Sequence, residues 1–129
     1  PCLGLFFPTF LMLEYFGLVM ESGTLLSIIA LQLAFFFMIG NYALTVKHGS
    51  RGGLRTPWTL RDQRVWSQTH RFMGYGLATV SVIGALMLAF MPVKTVMLAH
   101  VIAVLTVKIC AAAFSFLAWR KLNDALDAT

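Results

Sequence analysis

Twenty-two consecutive residues without a formal charge, LLSIIALQLAFFFMIGNYALTV from Leu25 to Val46, constrain this chain more than any other feature. As an α-helix the run measures about 33 Å, enough to cross the roughly 30 Å hydrocarbon core of a bilayer. Its polar residues are neutral, and Asn41, Tyr42 and Thr45 fall at one end, where a spanning helix meets headgroups. The composition agrees with lipid as the solvent: 59% of the chain is apolar or aromatic and only 12% is charged, against roughly a quarter charged in soluble proteins.

Three more stretches fit the same environment. Residues 2–20 carry one charge, Glu14, and reach about 28 Å as a helix, with Pro8 in the first turns. Residues 72–91 and 95–119 supply two further spans, separated by Pro92, Val93 and Lys94. The expected fold is therefore all-α, a polytopic four-helix transmembrane bundle forming one membrane domain over 1–129. The first apolar segment lacks a charged leader and a small-residue cleavage site, so it reads as a span and not as a signal peptide. Cys2 and Cys110 have no disulfide spacing.

Six of the ten basic residues lie in the connection 47–71, and Arg120 and Lys121 end the last span. Only Lys94 falls on the opposite side, so the positive-inside rule puts the 47–71 loop and both termini in the cytoplasm. The net charge of +5 thus belongs to a membrane loop that anionic headgroups attract, and nucleic acid is not needed to explain it. Gly49, Gly52 and Gly53 mark irregular backbone and contain no dinucleotide or P-loop fingerprint.

The second half of the loop has helical periodicity. Thr59 followed by Asp62 predicts a capping box, with an interfacial helix beginning at Leu60. Val65, Trp66, Thr69 and Met73 share one face, leaving Arg61, Arg64, Gln68 and Arg71 for water or phosphates. Gly74, Ala78, Ser81 and Ala85 form a small-residue stripe, as do Ala99, Ala103, Thr106, Cys110 and Ala113. These stripes predict that the third and fourth spans pack together first.

Several residues could carry function. Glu14 and Lys108 are ionisable groups deep within predicted spans, where an unpaired charge is costly, so an ion pair is their simplest mutual solution. His100 lies two turns before Lys108, about 80° round the helix, and could line the same polar face. Gln32 can hydrogen-bond across helices, and Asn41 is placed to satisfy the irregular loop. Arg55, Thr56, Pro57 and Trp58 combine an anion-binding side chain, a fixed turn and an interface anchor. His48 could approach His70 at the inner surface, but two histidines make no metal site, and no cofactor or metal is expected.

From Gly53 to Gly76 the chain reads GLRTPWTLRDQRVWSQTHRFMGYG. This closely resembles the signature of the bacterial SdpI-like immunity-protein family, in which a polar GxRTPWT loop precedes a tryptophan and a THRxxG stretch entering a membrane helix. Gly40 and Asn41 extend the likeness, which covers about 38–91. It emphasises Gly53, Arg55, Thr56, Pro57, Trp58, Thr59, Trp66, Thr69, His70, Arg71 and Gly74.

The resemblance implies a protein of the bacterial inner membrane that protects its producer from a secreted membrane-active toxin and takes part in signalling by holding a repressor at the membrane. It implies no catalytic residue. Partners expected on this basis are lipid, a toxin peptide, a regulatory protein or a larger membrane complex, with a homo-oligomer as a further form. Two other classes fit the residues: an accessory subunit of a larger membrane complex, and a small transporter using Glu14.

Overall fold

The longest uncharged stretch is one continuous helix, α1 (Ser22–Thr45), in a computed structural model that describes residues 22–129. Irregular chain over 46–56 leads to a short helix, α2 (Pro57–Arg61), then α3 (Gln63–Met87) and α4 (Val93–Asp127). The described residues are helical apart from turns and loops. Gly23–Thr45 and Val93–Asp127 are long and apolar enough to cross a membrane. The predicted span 2–20 lies outside the described residues.

The helix at the expected third span is displaced from 72–91. Helix α3 begins in the loop at Gln63 and stops at Met87, four residues short of 91, and a turn over 88–92 precedes α4. Pro92 then takes the N-cap of α4, where its missing N–H costs no helical bond. At the other end α4 continues eight residues past 119, carrying Arg120 and Lys121 on a helix instead of a tail.

The interfacial segment is also divided differently from the expectation. The capping box joins Thr56 and Thr59, one turn earlier than the expected Thr59 and Asp62, because Pro57 is preorganised for the first helical position. Asp62, in extended conformation, breaks the helix and caps α3, its Oδ1 accepting from the Arg64 N–H at 2.6 Å.

Packing centres on α3, which lies against both α1 and α4. The pairing with α1 rests on two glycines: a Cβ at position 40 would lie 2.8 Å from the Gly74 carbonyl oxygen and 2.9 Å from the Ala78 nitrogen. A Cβ at position 74 would meet the Gly40 carbonyl oxygen at 2.7 Å and Leu44 at the same distance. The small face of α3 therefore receives α1, correcting the expected docking of two small-residue stripes. On α4, Thr106, Cys110 and Ala113 are exposed, and the buried line is Val96, Met97, His100, Val104, Ala111 and Ser115. Larger side chains fill the α3–α4 contact, with Val107 against Gly76.

Two apolar clusters follow from this arrangement. Ala43, Met73, Leu77, Val104 and Ala111 form one towards the loop end, and Ile29, Leu33 and Met97 form another towards the 88–92 turn. Because backbone atoms bound both glycine sites, Gly40→Ala should force the helices apart and destabilise the fold by about 1–3 kcal/mol. Ala34→Gly, on an exposed position of the same helix, should cost no more than about 1 kcal/mol. Denaturant titration in detergent micelles compares the two; equal losses would show that the Gly40 approach is not required.

Candidate functional site

The loop meets the bundle through His70, which α3 holds at 2% exposure. Its Nδ1 lies 2.8 Å from the Trp66 carbonyl oxygen, one helical turn back, and a carbonyl can only accept. The proton therefore sits on Nδ1, leaving Nε2 to accept from the Leu54 N–H at 3.0 Å. One neutral imidazole thus bridges a helix carbonyl and a loop amide. Burial pushes the pKa of His70 down, while the bond to the Trp66 carbonyl acts in the opposite direction.

The neighbouring residues serve this bridge. Trp66 stacks on the imidazole with ring centroids 4.1 Å apart and donates its indole N–H to the Val46 carbonyl at 3.3 Å. Gly53 has φ +113°, and a side chain there would overlap His70. Only glycine meets both conditions. Thr59, fully buried, accepts from the Thr56 N–H at 2.9 Å and lies within donating distance of the Leu54 carbonyl at 3.1 Å.

Trp58 fixes the loop to α4. Its indole N–H donates to Ser115 Oγ at 2.6 Å, and Ser115 in turn donates to the Ala112 carbonyl. The Trp58 ring packs edge-on against Phe116, centroids 5.3 Å apart, with Trp119 at 6.4 Å. Sequence reasoning singled out Trp58 but missed Ser115. The available signal was a lone hydroxyl one turn beyond Ala111 on the buried line of α4 and next to an aromatic residue.

Other expected residues fall elsewhere. Arg55 and Arg71 are exposed, as are Arg61, Arg64 and Gln68, while Val65, Trp66, Thr69 and Met73 are buried as their periodicity required. Asn41 does not support the loop: its amide donates to the Phe37 carbonyl on its own helix. Tyr42, one residue on, reaches the loop instead, beside Gly52. His48 bonds to the Thr59 carbonyl and contacts Trp66 edge-on, so both histidines touch the Trp66 ring. A cleft of about 440 Å³ opens beside these residues and the end of α1.

A second polar group lies within the bundle. Gln32 of α1 hydrogen-bonds His100 Nδ1 of α4 at 3.1 Å, while His100 Nε2 is buried without a partner among the described residues. The Phe36 ring packs edge-on against His100, and the Lys108 ammonium lies 5.8 Å from the same ring's centroid. Phe36 therefore joins the two groups that the helical wheel placed near one face. Glu14, the expected partner of Lys108, lies outside the described residues.

The family model described as the SdpI/YfhL protein family matches residues 45–118, which include the His70 bridge, Trp58 and Ser115. The chain belongs to the SdpI/YfhL family. It is 32% identical over 97 residues to a protein named "Immunity protein SdpI" from Bacillus subtilis (strain 168), an alignment covering 74% of this chain and 46% of that relative. The chain thus spans about half the length of the curated relative it matches. No solved structure matches it. Family membership and the apolar helices make it an SdpI-like bacterial membrane protein of helical, membrane-spanning character.

Two measurements test the clamp of this SdpI-family chain. In a double-mutant cycle of Trp58→Phe and Ser115→Ala, the coupling should be about 0.5–1.5 kcal/mol in unfolding free energy; additive losses would separate the residues energetically. The pKa of His70 is lower folded than unfolded, so its contribution is complete above the ordinary imidazole value of about 6.5 and is lost as pH falls through it towards the lowered value. The melting temperature should therefore drop on acidification more in the wild type than in His70→Phe. Equal sensitivity would assign the titration to other groups.

Proposed function

We propose that this chain is a non-enzymatic immunity or regulatory protein of the bacterial inner membrane, acting by binding a membrane-active toxin or a signalling partner. In this reading it forms one membrane domain of four spans, with the 47–71 loop and both termini in the cytoplasm. Its family membership and its similarity to a protein named for immunity support the role. The basic loop, against one lysine at the opposite end, supports the orientation.

The observation that carries the binding mechanism is the set of polar groups on the α1–α4 seam. Lys108 is half-buried over Phe36, and the Gln32–His100 bond lies on the same helices. In a low-dielectric surrounding such groups give a membrane-embedded helix directional contacts that lipid chains lack. A toxin helix seated there is removed from its own assembly. Glu14 would supply the opposite charge for Lys108 from within the chain.

Deletion of the gene should sensitise its host to the cognate membrane-active peptide, and the purified protein should bind that peptide in nanodiscs. Unchanged resistance together with no binding would end the immunity reading. Lys108→Met should reduce binding at least about tenfold, the equivalent of 1.4 kcal/mol. If Glu14 is its counter-ion, adding Glu14→Gln should restore part of the stability lost in Lys108→Met, because the single variant leaves a buried carboxylate uncompensated.

A further inference from the structure

The outward face of α3 changes character along its length without changing direction. Arg64, Gln68, Arg71, Tyr75, Thr79, Val82 and Leu86 are all exposed. At 100° per residue they fall in a stripe about 80° wide, opposite the buried line of Trp66, Met73, Leu77 and Gly84. The first part of the stripe is cationic and hydrogen-bonding, and Arg61 of α2 lies just before it. A recess of about 620 Å³ at that corner is lined by Arg61, Arg64, Ser67 and Gln68, with Asp62 as the one acid, whose carboxylate caps the Arg64 amide. The later part is largely apolar.

The change falls between Arg71 and Tyr75, one turn apart. At the same end of the bundle the Phe72 and Phe114 rings stack with centroids 5.1 Å apart, and Trp58 lies beside Trp119 of α4. Amphipathic rings such as those of the two tryptophans and Tyr75 settle at headgroup depth. From Arg71, one leaflet of hydrocarbon, about 15 Å, extends along α3 to the neighbourhood of Val82. A soluble acidic ligand would meet the arginines and leave the apolar track uncovered. An uncharged lipid would cover the track and leave the arginines without counter-charge.

We propose that this face of α3 is a binding site for an anionic phospholipid, its phosphate held by Arg61, Arg64 and Arg71 with Gln68, and its acyl chains lying along Tyr75, Val82 and Leu86. Charge complementarity and the continuity of headgroup and chain contacts on one helix face select this occupant. The lipid belongs to the loop end of the bundle, on the side of α3 away from α1 and α4. The assignment stands on the membrane placement of the helices and not on immunity: loss of toxin protection leaves it intact, and loss of lipid preference leaves the immunity reading intact.

The test reconstitutes the full chain in nanodiscs of equal parts phosphatidylglycerol and phosphatidylcholine, extracts it gently and counts retained lipids by native mass spectrometry. Phosphatidylglycerol should be retained preferentially, and the preference should fall about fivefold for each charge removed in Arg64→Gln and Arg71→Gln. Lys94→Gln, at the opposite end, should leave it unchanged. Raising the ionic strength should weaken it in the wild type, a readout that needs no variant to fold. Equal retention of both lipids, a preference indifferent to salt, a second copy or another protein covering the face, or equally tight binding of glycerol phosphate without acyl chains would each overturn the proposal.

Discussion

A stretch of chain without a hydrogen-bonded ladder can lie against a hydrocarbon boundary only if its backbone amides and carbonyls find partners. In this protein the key partner is one neutral imidazole. His70 donates from Nδ1 to its own helix and accepts at Nε2 from the loop, so a single side chain joins regular and irregular backbone. The arrangement explains why the surrounding residues are demanding: Trp66 covers the ring face, and Gly53 leaves room for its edge. Protonation would place a second donor against the Leu54 amide, so burial and the bond from that amide both favour the uncharged form, against the opposing pull of the Trp66 carbonyl.

From that junction the rest of the loop is positioned by short, local rules. Pro57 starts α2 with Thr56 as its cap, and one turn delivers Trp58 to Ser115. Asp62 interrupts the helix and at once caps the next one, which turns the chain from the surface into α3. The close approach of Gly40 and Gly74 then fixes α1 beside α3. Loop and bundle are thus tied on two sides, to α3 through His70 and to α4 through Trp58.

The sequence revealed faces better than partners. The spacing of Val65, Trp66, Thr69 and Met73 identified the buried side of α3, because periodicity is a property of one helix. It could not tell which helix those residues meet. Small-residue stripes suggested α3 against α4, and the two do pack, but through larger side chains; the closest backbone approach needs both chains to come forward at one level, and Gly40 of α1 provides that opposite Gly74. The capping box was misplaced for a similar reason: Thr59 and Asp62 have suitable spacing, yet Pro57 commits the chain to helix one turn earlier. Asn41 had a suitable side chain and position, but its amide donates to the carbonyl of its own preceding turn. Ser115 escaped notice because its role depends wholly on a tryptophan 57 residues away.

The distribution of hydrogen bonds also separates the clamp from groups available for recognition. His70 uses both ring nitrogens, Trp58 uses its indole N–H, and Ser115 both accepts and donates. A ligand taking any of these would first have to break the fold's own bonds. The α1–α4 seam differs: His100 retains a buried ring nitrogen without a partner among the described residues, and Lys108 faces an aromatic ring that offers no full counter-charge. A cation–π contact offsets only part of the cost of taking an ammonium out of water, whereas a carboxylate or polar helix can offset more. The family model's match contains the clamp and Lys108 but not Gln32 or Phe36, which begin before residue 45. Hydrogen bonding of the loop and the polar groups of the seam are therefore carried by different side chains, and the recognition proposed at the seam would not require the clamp to open.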